Sequence, residues 1–523
     1  MKTVFTNGLI VRGNGSSQSE PVLGCMVVED DKIAYIGAEN DEPVAQATQA
    51  PGVEIVDLQR RTVIPGFIDG HMHLLLFGAG LSKIDLGHCK SLSDIRATIK
   101  AAAAQRPHAP VSSAADGQAL ASMLDDLDPR PIFIDSKDLH SAWCNTAALR
   151  ELGVADTPDP AGGIIHRGED GTPSGLLSEA AAVNIVWPHV ARVATAEEKM
   201  GFVRSAMATD ENVWGTMLAL RQTENAVSLR LAAHWIITPA ATVDECLAQV
   251  DRAIELHAVY NATSSPDFRI AGIKVICDGV VDACTAALLQ PYAAQAAGDG
   301  QVNCEPLWPA DMLRAVVAKA DAAGLQCALH AIGDATVRLA IDTLAAVGTP
   351  GRRHRIEHLE LTAPEDAARL GQLGITASVQ PVHADPAILR AWPRLLGEER
   401  CARAFAYAEF AAHRAPLAIG TDSPTAPHLP LRNLYTATTR RSAREPESPV
   451  AVNPQFKLSL LQAVSAATAG SAYSCFADGF TGSLEVGKKA DFAVVEMEWE
   501  AEKLLEASVC ETYFDGRRVY SRS

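Results

Sequence analysis

Five stretches of this 523-residue chain, four of them mostly apolar, each end in, or bury, a side chain that can bind a metal ion or move a proton. The first, Thr62-Val63-Ile64-Pro65-Gly66-Phe67-Ile68-Asp69-Gly70, runs into His71-Met72-His73. On an extended chain residues i and i+2 share a face, so both imidazoles can reach one ion at the strand's C-terminal end. The second, Phe268 to Cys277, holds Lys274 among apolar neighbours. An ammonium buried without a partner favours losing its proton. The neutral amine could then capture carbon dioxide as a carbamate, whose two oxygens can bridge two metal ions. The competing reading is a lysine that snorkels to solvent from a sheet edge. Leu325 to His330 and Arg355 to His358 each close on a histidine, which taken alone is equally a hydrogen-bonded core group. Pro416 to Asp422 closes on an aspartate, where a helix N-cap or turn residue is the ordinary reading.

Spacing joins these stretches into one arrangement. His330 and His358 are 28 residues apart, close to the roughly 30 residues of one βα unit in a (β/α)₈ barrel. His358 and Asp422 are 64 apart, two units, with Ile375-Thr376-Ala377-Ser378-Val379-Gln380 as the strand between. Counting the HxH stretch as strand one puts Lys274 on strand four, His330 on five, His358 on six and Asp422 on eight. The expected fold is therefore α/β, a TIM barrel over residues 63–474 with its polar residues at the C-terminal face of the strands. The 201 residues from His73 to Lys274 exceed three units, and the Pro- and Gly-punctuated stretch of about 104–185 reads as an inserted subdomain. Short β segments at 1–62 and 475–523 are expected to pair into a small β-sandwich built from both termini.

The order HxH, lysine, histidine, histidine, aspartate resembles the amidohydrolase superfamily. Gly66 to His73, Lys274 with Asp278-Gly279, His330-Ala331-Ile332-Gly333-Asp334, Arg355-Ile356-Glu357-His358, Gln380-Pro381 and Gly420-Thr421-Asp422-Ser423-Pro424 narrow it to the YtcJ-like amidohydrolase-3 family, of N-substituted formamide deformylase type. Asp138 to Asn145, Gly175-Leu176-Leu177-Ser178-Glu179 and Gly482 to Phe492 are similar to the same family, so the likeness spans almost the whole chain. It departs from the family's pattern at Val280-Val281-Asp282-Ala283-Cys284-Thr285, a loop expected to shape the substrate pocket.

The resemblance implies that His71 and His73 hold the more buried of two metals and His330 and His358 the other. Carbamylated Lys274 would bridge them, and Asp422 would complete the first site and act as the catalytic proton carrier. It implies hydrolysis of a non-peptide C–N amide bond of a small molecule by a metal-activated hydroxide. Two Zn²⁺ per chain suit this donor set, with Mn²⁺, Fe²⁺ or Co²⁺ as alternatives and CO₂ as the source of the carbamate. His140, Gln380 and His383 are read as substrate contacts, and Asp334 as a carboxylate orienting His330. A mononuclear deaminase of the superfamily would carry HxxE after strand five, which His330-Ala331-Ile332-Gly333 lacks. A non-catalytic scaffold would have lost ligands, and here each expected ligand is present. No GxSxG elbow and no Rossmann glycine fingerprint occurs.

Composition bounds the partners. A net charge of −18 repels phosphate backbones and anionic lipid, so neither nucleic acid nor membrane is expected. Eleven cysteines without a CxxC pair, no apolar leader and no run of 18 apolar residues fit a cytoplasmic enzyme with reduced thiols, able to form a homo-oligomer.

Overall fold

Both ends of the chain meet in one sheet. The structure, a computed structural model, describes residues 2–13, 20–73, 229–293 and 303–522, and between 84 and 218 the stretches 84–86, 89, 91–105, 111–112, 119–136, 141–160, 163–187, 189–190, 208–209, 211, 214–215 and 217–218. β1 (Lys2–Ile10), β2 (Val22–Glu29) and β3 (Lys32–Gly37) form an antiparallel meander, and β4 (Glu54–Asp57) and β5 (Thr62–Pro65) run parallel to β1. β5 corrects one expectation: Thr62 to Pro65 does not open the parallel sheet but pairs inside this terminal one. The cause is local, because Pro65 has no N–H to continue a ladder and the strand stops there.

Next, β6 (Ile84–Asp85) and β7 (Val111–Ser112) form a short parallel pair. β8 (Phe133–Asp135), β9 (Ser141–Cys144), β10 (Gly163–Arg167) and β11 (Pro173–Glu179) make an antiparallel sheet in the order β10-β11-β9-β8. Asn145 secures it, accepting from Ile132 N at 2.9 Å and from Ala148 N at 2.8 Å, the latter capping the helix Thr146–Leu152. Cys144, Leu149, Ile165 and Leu177 close a core of its own.

The largest body is a purely parallel sheet in sequential order: β12 (Ala208–Thr209), β13 (Leu231–Ile237), β14 (Phe268–Ile276), β15 (Gln326–Ala331), β16 (Arg355–His358), β17 (Thr376–Val379) and β18 (Leu417–Ile419). β14 to β17 are buried almost throughout, as parallel strands covered by crossover helices must be. The helices Val243–Val259, Ala310–Ala322, Asp334–Val347 and Pro364–Leu373 lie between strands in the chain. The first starts at a capping box, with Thr242 and Glu245 each bonding the other's backbone N–H at 3.3 and 3.0 Å. Ile273, Val275, Leu329 and Ile356 of the strands share one buried cluster with Val316, Val337 and Leu370 of the helices. Cutting Leu370 to Ala there would cost about 2–5 kcal/mol.

β19 (Phe492–Glu496) pairs antiparallel with β5, and β20 (Ser508–Phe514) and β21 (Arg517–Ser521) complete the eight-stranded terminal sheet. Phe5, Phe492 and Tyr513 fasten its two chain ends together, with ring centroids 4.4–5.1 Å apart. The eleven cysteines are free thiols. Among the described residues no helix is long and apolar enough to cross a membrane.

Candidate metal centre

The HxH segment leaves the terminal sheet at Pro65 and lies along the C-terminal end of β18. Gly70 N donates to Ile419 O (3.0 Å), His73 N to Ser423 O (2.9 Å) and Asp422 N to His71 O (2.7 Å). The approach is close enough that a Cβ at Gly420 would stand 2.3 Å from His71 N, which is why the residue before Thr421-Asp422 has no side chain. Asp69 pins the junction, accepting from Thr421 Oγ1 at 2.6 Å, Thr421 N at 2.9 Å and His71 N at 3.2 Å. Strand-end aspartate and HxH are thus brought together although 351 residues separate His71 from Asp422.

One ligand atom from each of His71, His358 and Asp422 lies within 4.8 Å of the other two, and all three residues are buried. Asp422 Oδ1 is 3.2 Å from His71 Nε2 and 3.0 Å from His73 Nε2. Those separations match two ligands on one ion whose bonds are about 2.0–2.2 Å long. His71 Nε2, His358 Nδ1 and Asp422 Oδ1 are buried without a hydrogen-bond partner among the described residues. Such orphaned donors and acceptors are costly unless something else satisfies them, and a divalent cation fits the set. His358 and Asp422 also take left-handed backbone, at φ +76° and +55°. Non-glycine residues there cost of order 1–3 kcal/mol each and cluster at functional sites.

Electrostatics agree. Burial raises the Asp422 carboxyl, but the neighbouring imidazoles of His71 and His73 outweigh it and hold it well below its ordinary value. Burial, reinforced by His330, holds His358 well below an ordinary imidazole. Both groups therefore stand in the protonation state a metal ligand needs.

Lys274 and His330 form the facing side. Lys274 pairs in register with Ala328 and Ile276 with His330, so the two side chains leave neighbouring strands near the same end. Lys274 is 2% exposed, and its Nζ has no hydrogen-bond partner among the described residues. Burial pushes its pKa down against the pull of Glu357 and Asp422. The His330 ring is 4.3 Å from that of His358, and its Nε2 lies 3.4 Å from Gly279 O and 3.5 Å from Asp278 Oδ1.

Asp278, not Asp334, is the carboxylate beside His330. The expected role for Asp334 is corrected: it begins the helix Asp334–Val347 and its Oδ1 accepts from Leu289 N at 2.8 Å. Asp278 accepts from Ile332 N, Gly333 N and Ala287 N at 3.0, 2.9 and 3.1 Å, tying the loop after β14 to the end of β15. Gln380 is buried just past β17, and its Oε1 has no hydrogen-bond partner among the described residues. His383 stacks on His358 at 5.9 Å and approaches Asp422 Oδ2 to 3.5 Å, while its Nδ1 faces Glu360 Oε1 at 3.1 Å. His358, Glu360 and His383 form a second group able to hold a cation. His140 lies outside the described residues.

Residues 54–520 match the amidohydrolase family. The chain belongs to that family. It is 29% identical over 562 residues to protein LONG AFTER FAR-RED 3 of Arabidopsis thaliana, covering 99% of this chain and 91% of that one. With the YtcJ protein of Bacillus subtilis (strain 168) the identity is 26% over 531 residues, 95% and 96% of the two chains. With N-substituted formamide deformylase of Arthrobacter pascens it is 22% over 550 residues, 95% of each. Among solved structures, an uncharacterized metal-dependent hydrolase from Pyrococcus horikoshii has the same fold at a TM-score of 0.73, with 22% identity over 99% of this chain and 100% of that one. Family membership and the clustered ligand atoms together make this chain a metal-dependent hydrolase.

The amidohydrolase also contains a positioning network that reading the sequence missed. Glu357 Oε2 lies 2.5 Å from His71 Nδ1, which fixes the tautomer that leaves Nε2 free for an ion. Arg355, 1% exposed, bonds Glu357 from Nε at 2.6 Å and from Nη2 at 3.0 Å, and also donates to Gly70 O and Ser378 Oγ. The signal was in the sequence: Arg355 and Glu357 are charged residues of opposite sign at i and i+2 of one strand, hence on one face of it.

Proposed function

We propose that this amidohydrolase cleaves a non-peptide C–N amide bond of a small molecule at a site held by His71, His73, Lys274, His330, His358 and Asp422. The observation that carries the reading is the meeting of His71, His358 and Asp422, from three separate stretches of chain, at one buried point with unsatisfied ligand atoms. A divalent metal bound there, Zn²⁺ first and Mn²⁺, Fe²⁺ or Co²⁺ as alternatives, supplies a Lewis acid for the scissile carbonyl and lowers the pKa of water from 15.7 to about 7. Lys274 would serve as the neutral amine: a bond between its Nζ and the carbon of CO₂, with a proton released, would make a carbamate whose oxygens would add to the donor set that His71, His73, His330, His358 and Asp422 would offer a metal.

Asp422 has two different faces. Oδ1 points to His71 and His73, whereas Oδ2 lies 3.5 Å from His383 Nε2. In this reading Oδ2 takes a proton from the attacking water and returns it to the leaving nitrogen. His383 and Gln380 are the substrate contacts proposed on this side of Asp422. The likeness to N-substituted formamide deformylase supports formamides among the amides to be tried, beside N-acyl amino acids.

For the fold we read the seven parallel strands and the segment 66–73 as a (β/α)₈ barrel over residues 66–474, with an insertion at about 104–185. The terminal sheet is read as a β-sandwich of 1–65 and 475–523. The acidic surface favours a cytoplasmic enzyme with a small-molecule substrate over a nucleic-acid or membrane partner.

The test is an amide screen of N-formyl, N-acetyl and N-acyl amino-acid substrates, with metal content measured on the same sample. Asp422→Asn should lower kcat by about 10³-fold with most metal retained. Two bound ions with no amide cleaved, or full activity in Asp422→Asn, would overturn the reading. One ion per chain together with an active Lys274→Ala variant would favour a deaminase.

A further inference from the structure

Two consecutive left-handed residues, His358 at φ +76° and Leu359 at φ +53°, carry the chain off β16 and leave Glu360 buried beside the metal centre, 6% exposed. The backbone fixes this segment: Leu359 N donates to Ala331 O at 3.1 Å, Leu361 N to Ile332 O at 3.0 Å, and Phe405 N to Glu360 O at 2.8 Å. The turn Pro381–Ala384 after β17 brings His383 to it. Asn433 holds that turn, accepting from Val382 N at 3.0 Å while donating to Gly420 O at 2.8 Å.

Glu360 Oε1 and His383 Nδ1 pair at 3.1 Å, His383 Nε2 meets Thr425 Oγ1 at 3.2 Å, and the rings of His358 and His383 lie nearly parallel, 5.9 Å apart. One ligand atom from each of His358, Glu360 and His383 lies within 4.8 Å of the other two. The Glu360–His383 separation suits two ligands on one ion with bonds of about 2.0–2.2 Å, and two imidazoles with one glutamate are a zinc donor set. His358 belongs both to this group and to the group with His71 and Asp422.

This group and the Lys274 side differ in where their negative charge comes from. Lys274 becomes an anionic ligand only as a carbamate, whereas Glu360 brings a carboxylate without any chemistry on its side chain. A cation taken up before carbamylation therefore finds its anion at Glu360. We propose that His358, Glu360 and His383 form a second divalent-cation position, filled while Lys274 is a free amine. The proposal rests on the reading above that His71, His73 and Asp422 hold the first ion. A cation at this second position occupies His383, the same imidazole read as a substrate contact, so it competes with substrate.

The experiment strips the full-length protein with a chelator and titrates it with Co²⁺ by equilibrium dialysis, in CO₂-free buffer and with bicarbonate added. Lys274→Met, which cannot form a carbamate, should bind a tight first Co²⁺ and a weaker but saturable second. Adding Glu360→Gln to it keeps an acceptor for His383 Nδ1 and removes the charge. The second Co²⁺ should then weaken by more than the roughly 10–100-fold that loss of a group supporting a ligand costs, with the first unchanged. In the Lys274 background, wild type and Glu360→Gln should differ most without CO₂, and bicarbonate should narrow the gap. A single Co²⁺ in Lys274→Met would overturn the proposal, as would equal second-ion affinity with and without Glu360→Gln, or a gap that bicarbonate leaves unchanged. If the double variant fails to fold, His383→Gln in place of Glu360→Gln carries the same test. If His71→Asn keeps the tight equivalent, the reading of the first ion fails, and the Glu360 comparison still decides the second.

Discussion

On one side of the metal centre His71 is gripped at Nδ1 by Glu357, Glu357 is gripped twice by Arg355, and Arg355 reaches back to the carbonyl of Gly70 beside the HxH. On the other side Lys274 stands between apolar neighbours in a strand whose other charged residue is Arg269, with Nζ buried and without a hydrogen-bond partner among the described residues. Both sides bury charge-bearing groups, but the first resolves that cost with pairing inside the protein and the second does not. A buried ion pair that is fully hydrogen-bonded can be held rigid without any ligand. A buried amine with no partner is a group whose completion comes from elsewhere. The contrast separates a wall whose polar groups are paired in advance from one on which the carbamate proposed for Lys274 would supply the pairing.

Lys274→Met tests that contrast most strongly. It keeps length and removes the unpaired amine, so the metal-free protein should unfold no earlier, with stability unchanged or raised by about 1 kcal/mol, while kcat falls by about 10²–10³-fold and bound metal drops. Thermal melts of stripped protein and metal analysis of loaded protein check both halves. A destabilised variant that keeps its metal would erase the difference between the walls.

Glu357→Gln strikes the other side. It leaves Arg355 without its anion and loosens the His71 tautomer, and metal affinity should fall by about 10–100-fold in a chelator titration. Unchanged affinity would mean that the network serves folding alone.

The smallest effect concerns pH. His73 and His358 both lie below the ordinary imidazole value, chiefly through burial. A lowered folded pKa means that the unfolded chain takes the proton first, so stability declines as pH falls through about 6.5. Protons compete with the metal only below the depressed values. Bound metal should therefore persist as pH falls through about 6.5, whereas half-loss near 6.5 would mark ordinary imidazoles.

The order of the strands was legible because apolar stretches ending in polar residues recur at the interval of a βα unit, and β14 to β18 follow that order. Lys274, His330, His358 and Asp422 stood out as candidates for the same reason. Asp334 was misread and Asp278 overlooked, since both are aspartates near strand ends. Only the three backbone N–H groups around Asp278 distinguish them. β5 was misplaced because an apolar four-residue strand carries no mark of the sheet it will join.

The sequence by itself determined which residue types stand at the ends of which strands, because hydrophobic period and spacing are local and repeat along the chain. Tertiary structure alone decided which of those residues meet. Gly420 admits the HxH segment onto β18, and Arg355 and Glu357 turn His71 toward Asp422. These contacts join residues roughly 285 to 350 positions apart. They depend on backbone approach and side-chain direction, which no spacing along the chain encodes.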